Sequence, residues 1–385
     1  MLQIFKFMKY FLCILITLVS PVLMWGQKKF NVTFVLPDSA HVQKMNFYYY
    51  DCIQRSYIPV SATYTNNTAT ISHSYNTVYA KIFIDYNFGE RRPFMSIVTT
   101  EKPASITLVS PINEADPFNN ATILNAHDWR QEISDMTAYI KEPQERYIQM
   151  YDSITPSWTP HDSLAFEKLE EANIAIENKR FEYIRKHSNS YYSFSLFETF
   201  SISTLSPDLL LRQFATIFPA RFKNSEEGAS IKNYLLNRAI LEGKKKALSF
   251  TATDIDSNKI ILNEIYKKKQ VLLVFWGTWC KPCLDEIPLL RAIRKKYPTD
   301  QLEIIAIATQ SPPEKVRQLI KEQQLDWTHI INNNSINLLY QVISYPEIYL
   351  IDTNGNVKYK KSSYPDINLE NLNKTIEIGF HSIKK

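Results

Sequence analysis

The segment 271–288 constrains the fold more than any other part of the chain. Its first five residues, Val271 to Phe275, are all apolar, which is typical of an interior parallel strand that is covered on both faces. Cys280 and Cys283 follow within a few residues. A helix is predicted directly after them, because early acidic residues are followed by an apolar stripe that Pro298 ends. The sequence therefore predicts a strand, a two-cysteine turn and a helix in direct succession.

Two cysteines separated by two residues at a helix start are suited to reversible disulfide chemistry. The backbone N–H groups of the first helical turn lack partners, and the helix dipole is positive there. Both effects favour a thiolate on the outer residue, Cys280, so its pKa is expected to lie below that of an ordinary thiol. The sulfur of Cys283 lies one turn further in and can close the ring. The pattern predicts a dithiol–disulfide exchanger.

Half of a zinc site is the alternative interpretation of this cysteine spacing. It would need two more ligands, usually a second close cysteine pair or a histidine pair. The remaining cysteines, Cys13 and Cys52, are distant in sequence, and the seven histidines are scattered. We therefore expect no metal and no cofactor, and we expect Cys52 to be a lone buried or edge thiol rather than a third redox partner.

Residues 1–26 have the form of a secretory signal peptide. Lys6 and Lys9 precede an apolar stretch from Tyr10 to Trp25, and Gly26 supplies a small residue for cleavage. These features predict export to the cell envelope or periplasm. We expect a soluble or weakly membrane-associated envelope protein, and a retained anchor is the alternative, although the apolar stretch is short for a full span. The formal net charge of +5, to which the two leader lysines contribute, gives no reason to predict nucleic-acid binding.

Three regions follow the leader. Residues 28–115 show short alternating strands separated by turn residues, which predicts a small antiparallel β-sandwich. Residues 116–246 change to helical periodicity and predict an α-helical arm or linker. Residues 247–385 alternate strands with helices and predict an α/β domain with a parallel centre. The turn pair Asn354-Gly355 predicts an antiparallel hairpin at its edge.

The residues around the cysteine pair resemble those of thioredoxin-fold proteins of the AhpC/TSA type. Among these, they are most similar to the envelope thiol–disulfide oxidoreductases of the TlpA/ResA kind. The resemblance covers 247–385, about a third of the chain. It is carried by FWGTWCKPC at 275–283, Glu286, Pro288, Tyr345-Pro346, Ile351-Asp352 and Gly355. It implies a thioredoxin fold for this region, and the preceding sandwich and arm resemble an extension of uncertain function on some bacterial members.

The resemblance also implies a role for several residues. Cys280 would attack a substrate disulfide, and Cys283 would resolve the mixed disulfide. Pro346 would be a cis-proline that faces the cysteine pair, so that the backbone of Tyr345 can pair with an extended substrate. The remaining residues expected to contact substrate are Trp279, Lys281, Pro282 and Glu347.

Two positions depart from the pattern of plain thioredoxins. Val274 stands where those proteins carry a buried aspartate that moves protons at the inner cysteine. Glu286, three residues beyond Cys283, is the expected substitute, and an acid that only complements the helix dipole is the alternative. Glu347 stands where an uncharged residue is usual. Our hypothesis is that it raises the pKa of Cys280, and the alternative is that it points into solvent.

The leading functional hypothesis is an envelope reductase of protein disulfides, re-reduced by a membrane thiol–disulfide electron donor. Some relatives act on apocytochrome c, so cytochrome c maturation is a further expectation. A disulfide oxidase or isomerase is the alternative within the class. A peroxidase would need a Thr-x-x-Cys sequence, whereas Thr278 lies only two residues before Cys280. A ligand-binding module supported by the thioredoxin domain is the non-enzymatic alternative.

Overall fold

The computed structural model describes residues 27–37, 45–87, 94–110, 112, 116–154, 163–200, 205–243, 245–361, 366 and 368–383. The leader expected at 1–26 lies outside these residues. Within the part of the chain that is described, no helix combines the length and the apolar character that crossing a membrane requires.

Two five-stranded sheets pack face to face to form the N-terminal β-sandwich. Its described strands are β1 (Lys28–Val35), β2 (Met45–Asp51), β3 (Ser56–Pro59), β4 (Ala62–Thr65), β5 (Thr68–Tyr75), β6 (Ala80–Tyr86), β7 (Phe94–Thr99), β8 (Ala104–Thr107), β9 (Thr122–Leu124) and β10 (Ala126–Asp128). The sheet orders are β4-β5-β1-β8-β9 and β10-β7-β6-β2-β3. Neighbouring strands are antiparallel except β1 and β8, which are parallel. Apolar side chains at alternate positions, such as Phe30, Val32 and Phe34, fill the space between the sheets.

The two last strands of the sandwich lie beyond residue 115, where we expected the helical region to begin. β9 and β10 each add an edge strand to one of the two sheets. Both have only three residues and little burial, so neither shows the alternation by which a strand is recognised in sequence. The sandwich therefore extends to Asp128.

A helical region follows the sandwich, as expected. Its described elements are α1 (Arg130–Ile154), α2 (Ser163–Lys186), α3 (Tyr191–Phe200), α4 (Pro207–Ile217), α5 (Ala220–Lys223), α6 (Glu226–Arg238) and a π-helical turn (Ala239–Gly243). Ser206 and Ser225 cap α4 and α6, since each hydroxyl accepts a hydrogen bond from a backbone N–H of the first turn. The aromatic core of this region includes Trp129 and reaches Val98 of β7. The helices therefore pack against the outer face of the second sheet.

A charged cluster is buried where the second sheet meets these helices. The Nζ of Lys81 donates to Glu198 at 2.7 Å and lies 3.3 Å from a carboxylate oxygen of Glu227. The hydroxyl of Tyr191 donates to Glu227 at 2.8 Å, and that of Tyr50 donates to Glu198 at 3.3 Å. Buried charges are tolerated only when they are paired and hydrogen-bonded. This cluster therefore ties the sheet to the helices in one arrangement.

Cys52 lies beside this cluster as a buried free thiol. Burial raises the pKa of the thiol, and the nearby carboxylates of Glu227 and Glu198 raise it further. A thiol that stays protonated is a poor nucleophile. Its position agrees with the expectation of a lone buried thiol.

A five-stranded sheet between helices forms the C-terminal domain. Its elements are β11 (Thr251–Thr253), β12 (Lys259–Ile261), α7 (Leu262–Tyr266), β13 (Gln270–Trp276), α8 (Lys281–Lys296), β14 (Leu302–Ala308), α9 (Pro313–Gln323), β15 (Thr328–Ile331), α10 (Asn334–Leu339), β16 (Glu347–Ile351), β17 (Val357–Lys361) and α11 (Glu370–Ile383). The sheet order is β15-β14-β13-β16-β17, and β11 pairs with β12 separately. β13, β14 and β15 are parallel, and the β16–β17 hairpin is antiparallel to them. This topology confirms the expected thioredoxin fold; β15 and β11 were not anticipated as strands.

Both faces of the central sheet are covered, and β13 is buried along its whole length. Leu272, Val274 and Trp276 face the core that contains the two cysteines and residues of α11. Leu273 and Phe275 face the opposite core, which includes residues of β11, β12 and α10. This arrangement explains why the sequence of β13 is continuously apolar.

Glu347 is buried at the start of β16, on the second of these faces. It pairs in register with Phe275 and is 3% exposed, and its Oε1 has no hydrogen-bond partner. Burial raises its pKa from the ordinary value of 4.5 to about 8, against the opposing effect of the nearby Lys360. At neutral pH, Glu347 is therefore mainly a protonated carboxylic acid.

Glu347→Gln is expected to reduce the pH dependence of stability. Because the pKa of Glu347 is higher in the folded than in the unfolded protein, its stabilising contribution is present below about pH 4.5 and is lost as the pH rises through 8. The wild-type free energy of unfolding should fall in this window by up to about 1.4 kcal/mol per pH unit relative to the variant. Urea denaturation at a series of pH values measures both slopes. The exposed Glu370→Gln is the control, and equal slopes for wild type and Glu347→Gln would contradict this assignment.

Candidate active site

The two predicted redox cysteines form a disulfide at the start of α8, with their Cα atoms 5.3 Å apart. Cys280 is the N-cap residue of the helix, and its Sγ accepts a hydrogen bond from the backbone N–H of Cys283 at 3.3 Å. That N–H is one of the donors that a helix start leaves without a backbone partner. On reduction, a thiolate at Cys280 would keep this donor and lie at the positive end of the helix dipole. Both interactions lower the pKa of a thiol.

Trp279 is an exposed aromatic side chain beside the buried cysteines. The cysteines are only 3% and 4% exposed, whereas Trp279 is 54% exposed. Its indole Nε1 donates to the carbonyl oxygen of Thr309 at 3.2 Å, and its ring meets that of Tyr345 edge-on, with centroids 5.4 Å apart. A Cβ at Gly277 would lie 2.7 Å from the same Nε1, so a glycine is required where the chain turns beneath the indole.

The bond between Tyr345 and Pro346 is cis, as the resemblance implied. Pro346 is buried and lines a small cavity together with Cys283 and Glu286. The backbone before this proline ends a loop and leads directly into β16. Two pairs of residues that are distant from each other in sequence thus lie close together in the structure. One pair is Cys280 and Cys283, and the other is Tyr345 and Pro346.

Glu286 is buried beside Cys283 and is paired with Lys361, a residue that the sequence analysis missed. One carboxylate oxygen of Glu286 accepts a hydrogen bond from the Nζ of Lys361, and the two residues are 8% and 6% exposed. Burial lowers the pKa of Lys361. A signal for Lys361 was present in the sequence, because period-two alternation places it on the same face as Val357 and Tyr359.

A cavity of about 20 Å³ lies between Glu286 and Cys283, with Val274 on its wall. A cavity of this size can hold one water molecule. Three polar atoms of its lining residues have no hydrogen-bond partner: Oε2 of Glu286 and the indole Nε1 atoms of Trp276 and Trp327. Two indole N–H donors and one carboxylate acceptor are thus available for one water molecule. The arrangement can move a proton between the carboxylate of Glu286 and the sulfur of Cys283.

Lys281 and Pro282 are exposed on the first turn of α8. The Nζ of Lys281 forms an ion pair with Asp285 one turn along, on the helix surface. Its charge is therefore already paired, and it stabilises a thiolate at Cys280 only weakly. Pro282 has no backbone N–H. It therefore suits the first turn of a helix, where N–H groups have no backbone partner.

Glu347 does not join this group, which corrects both of our expectations for it. Successive residues of β16 point to opposite faces, so Ile348 packs in the core of the cysteines and Glu347 points away from them. The groups that shift its pKa are Lys360 and Glu242, and its side chain is buried rather than solvated. The structure offers no contact through which Glu347 could raise the pKa of Cys280.

The described residues contain no group of three or more His, Cys, Asp or Glu side chains arranged to hold a metal ion. The structure places two sulfurs and the carboxylate of Glu286 together at this site.

Comparison with known proteins gives consistent matches for the C-terminal third. Residues 244–360 match the AhpC/TSA family. The thiol-disulfide oxidoreductase ResA of Bacillus thuringiensis subsp. konkukian is 35% identical over 127 residues, which cover 33% of this chain and 73% of that protein. The thioredoxin-like protein YneN of Bacillus subtilis is 34% identical over 122 residues, which cover 31% of this chain and 70% of that protein.

A solved structure gives a further match: the thioredoxin domain of a thiol-disulfide oxidoreductase from Bacteroides vulgatus. It is 24% identical, with a TM-score of 0.31, over 34% of this chain and 95% of that chain. The identity to ResA, over most of the length of that protein, shows the family. This chain therefore belongs to the ResA-related thiol–disulfide oxidoreductases, with an AhpC/TSA thioredoxin-fold domain as its C-terminal third.

Proposed function

We propose that this oxidoreductase works as a reductase of protein disulfides, with Cys280 as the attacking and Cys283 as the resolving residue. One observation supports this direction of electron flow, from the protein to its substrate. Each of the two lysines near the cysteine pair is paired with a carboxylate: Lys281 with Asp285, and Lys361 with Glu286. Strong oxidants of this fold owe their potential to a stabilised reduced form. Here the hydrogen bond and dipole at the helix start act without an unpaired lysine beside them, which favours a more reducing dithiol.

The exchange takes place in two displacements. The Cys280 thiolate attacks one sulfur of the substrate disulfide, so a Cys280–substrate S–S bond forms and the other substrate sulfur leaves and takes up a proton. Cys283 then loses its proton and attacks the Cys280 sulfur, which closes the internal disulfide and releases the second substrate sulfur as a thiol after protonation. The substrate gains two electrons and two protons. A dithiol donor, which we propose to be a membrane thiol–disulfide electron donor, restores the pair.

Glu286 is proposed to accept the Cys283 proton in the second displacement. It lies on the same cavity as Cys283 and is paired with Lys361. The cavity has room for one water, which extends the reach of the carboxylate to the sulfur. Val274, in place of the aspartate of plain thioredoxins, cannot perform this step, and Glu286 replaces it from the neighbouring helix.

The proposed location is the cell envelope or periplasm, with the leader expected at residues 1–26 as the export signal. A weak association with the membrane would bring the protein close to its proposed electron donor. Apocytochrome c cysteines, on which some proteins of the TlpA/ResA kind act, are the substrate that we propose to test first.

The reduction potential of the Cys280–Cys283 pair tests the direction of electron flow. Equilibration of the full chain in dithiothreitol buffers should give a value near or below about −250 mV, with Cys280→Ser as the control that shows no transition. A value of about −120 to −180 mV would overturn the reductase assignment and indicate an oxidase or isomerase. The absence of any two-electron transition would overturn the exchange chemistry of this pair.

Glu286→Gln is expected to slow the second displacement and to leave the first unchanged. With 5,5′-dithiobis(2-nitrobenzoate) as substrate, the attack by Cys280 releases one thionitrobenzoate and the attack by Cys283 releases the other, so a stopped-flow trace separates the two steps. The second phase should be about 100-fold slower at neutral pH. The defect should shrink as the pH rises, because solvent then deprotonates Cys283 directly.

The matched control for this experiment is Asp285→Asn, which removes the neighbouring carboxylate on the exposed side of the same helix. Its second phase should match that of the wild type, and only its first phase should change, because Lys281 then lacks its carboxylate partner near Cys280. Equal slowing of the two phases in Glu286→Gln, or no slowing at all, would show that Glu286 is not the proton acceptor.

A further inference from the structure

A cleft opens between the sandwich, the helical region and the thioredoxin-fold domain. Its volume is about 570 Å³, within the range of about 300–1,000 Å³ that is typical of ligand sites. Its wall residues come from all three parts of the chain: Tyr57 and Phe83 from the sandwich, Tyr192 and Tyr234 from the helices, and Asn337, Gln341, Ile343 and Tyr345 from the C-terminal domain. The proposed disulfide exchange uses only the part of the cleft that borders the redox centre.

The cleft begins at the redox centre. Tyr345 lines it, and the ring of Tyr345 meets that of Trp279, which is adjacent to Cys280. Thr309 also lines it and accepts the indole hydrogen bond of Trp279. A polypeptide whose cysteine reached Cys280 would therefore pass over Trp279 and enter the cleft.

Two buried amide oxygens at the cleft have no hydrogen-bond donor. Asn337 and Gln341 are 3% and 7% exposed. Their nitrogens are engaged, since Nδ2 of Asn337 donates to the hydroxyl of Thr309 at 2.8 Å and Nε2 of Gln341 donates to the carbonyl of Leu338 at 2.9 Å. Oδ1 of Asn337 and Oε1 of Gln341 have no partner. Because buried polar atoms are nearly always paired, these acceptors indicate a ligand that brings N–H groups.

The hairpin turn between β2 and β3 holds the far wall in place. The backbone oxygen of Gln54 accepts a hydrogen bond from Nδ2 of Asn334, in the C-terminal domain, at 2.9 Å. The guanidinium of Arg55 lies 3.6 Å from the ring centre of Tyr234, in the helical region. One turn of the sandwich thus contacts both other parts of the chain, so the cleft has fixed walls.

The accessible part of the lining is more apolar than polar, and the exposed Gln54, Thr199 and Gln310 supply its polar part. Tyr57 is 58% exposed on the sandwich side, and Ile343 is 63% exposed on the side of Tyr345. Three charged residues also line the cleft. Lys81 and Glu198 are paired with each other and nearly buried, and the guanidinium of Arg55 lies against the ring of Tyr234. The unpaired amide oxygens can accept hydrogen bonds from the backbone N–H groups of a polypeptide, and the exposed apolar side chains can contact its apolar side chains. A polypeptide therefore fits the cleft better than a charged small molecule does.

We propose that this interdomain cleft binds an extended, apolar polypeptide segment next to the substrate cysteine. The sandwich and the helical region then form the second wall of the substrate site, opposite the thioredoxin-fold domain. This inference rests on the proposed exchange chemistry at Cys280, and it adds a substrate class: cysteines flanked by apolar residues in an unfolded or extended chain.

Two matched disulfides test the proposal with the full-length reduced protein. Both are mixed disulfides with thionitrobenzoate, one of N-acetylcysteine and one of a blocked cysteine peptide with aromatic and aliphatic neighbours. Release of thionitrobenzoate gives kcat/KM for each. We expect the wild type to prefer the peptide by about tenfold or more, which corresponds to about 1.4 kcal/mol. Tyr57→Ala and Ile343→Ala should remove most of this preference and leave the N-acetylcysteine rate unchanged.

The controls separate the cleft from the fold and from the chemistry. Tyr57→Phe keeps the ring and should keep the preference, and Tyr64→Ala, at a tyrosine of similar exposure on β4, should also keep it. Equal rates for the two disulfides in the wild type, or an unchanged preference in both alanine variants, would overturn the cleft proposal alone. If the wild type released no more thionitrobenzoate from N-acetylcysteine disulfide than Cys280→Ser does, the proposed function itself would fail.

Discussion

The complete burial of β13 is the constraint on which the redox site depends. A strand covered on both faces must lie in the interior of the sheet, so its end is fixed by β14 on one side and β16 on the other. The chain leaves this end at Trp276 and reaches the start of α8 only four residues later, at Cys280. Because β16 is the other neighbour, the cis bond before Pro346 comes to lie on the same side. The position of both sulfurs thus follows from the packing of one strand.

The pattern of local residues was sufficient to predict this part of the structure. The strand, the cysteine turn, the helix and the β16–β17 hairpin follow from runs of apolar residues and from turn pairs that are close in sequence. The cis state of Pro346 could not be derived in this way, since it rested on a resemblance. Period-two alternation along β17 would also have placed Lys361 on the buried face of the strand. The other lysines of β17 made the whole strand look exposed in the sequence.

What the sequence could not predict depends on contacts between distant segments. The burial of Glu347 arises because β16 is covered on its second face and because Glu242 and Lys360 lie nearby. β9 and β10 exist only as edge partners of longer strands, so their own three residues carry no sufficient signal. The cleft requires residues that are almost 300 positions apart, from Tyr50 to Tyr345, and no local pattern connects them.

The burial of Cys52 has a consequence for how the chain matures. A third thiol in a chain with a redox-active pair can form wrong disulfides, because any accessible thiolate can attack the Cys280–Cys283 bond. Domains generally fold in order of synthesis, from the N-terminus. A sandwich and a helical region that fold first enclose Cys52 beside Glu198 and Glu227 before the redox pair is complete, so that Cys280 and Cys283 are the accessible pair among the described cysteines. With this order of folding, the N-terminal extension would keep Cys52 out of the oxidation of the redox pair.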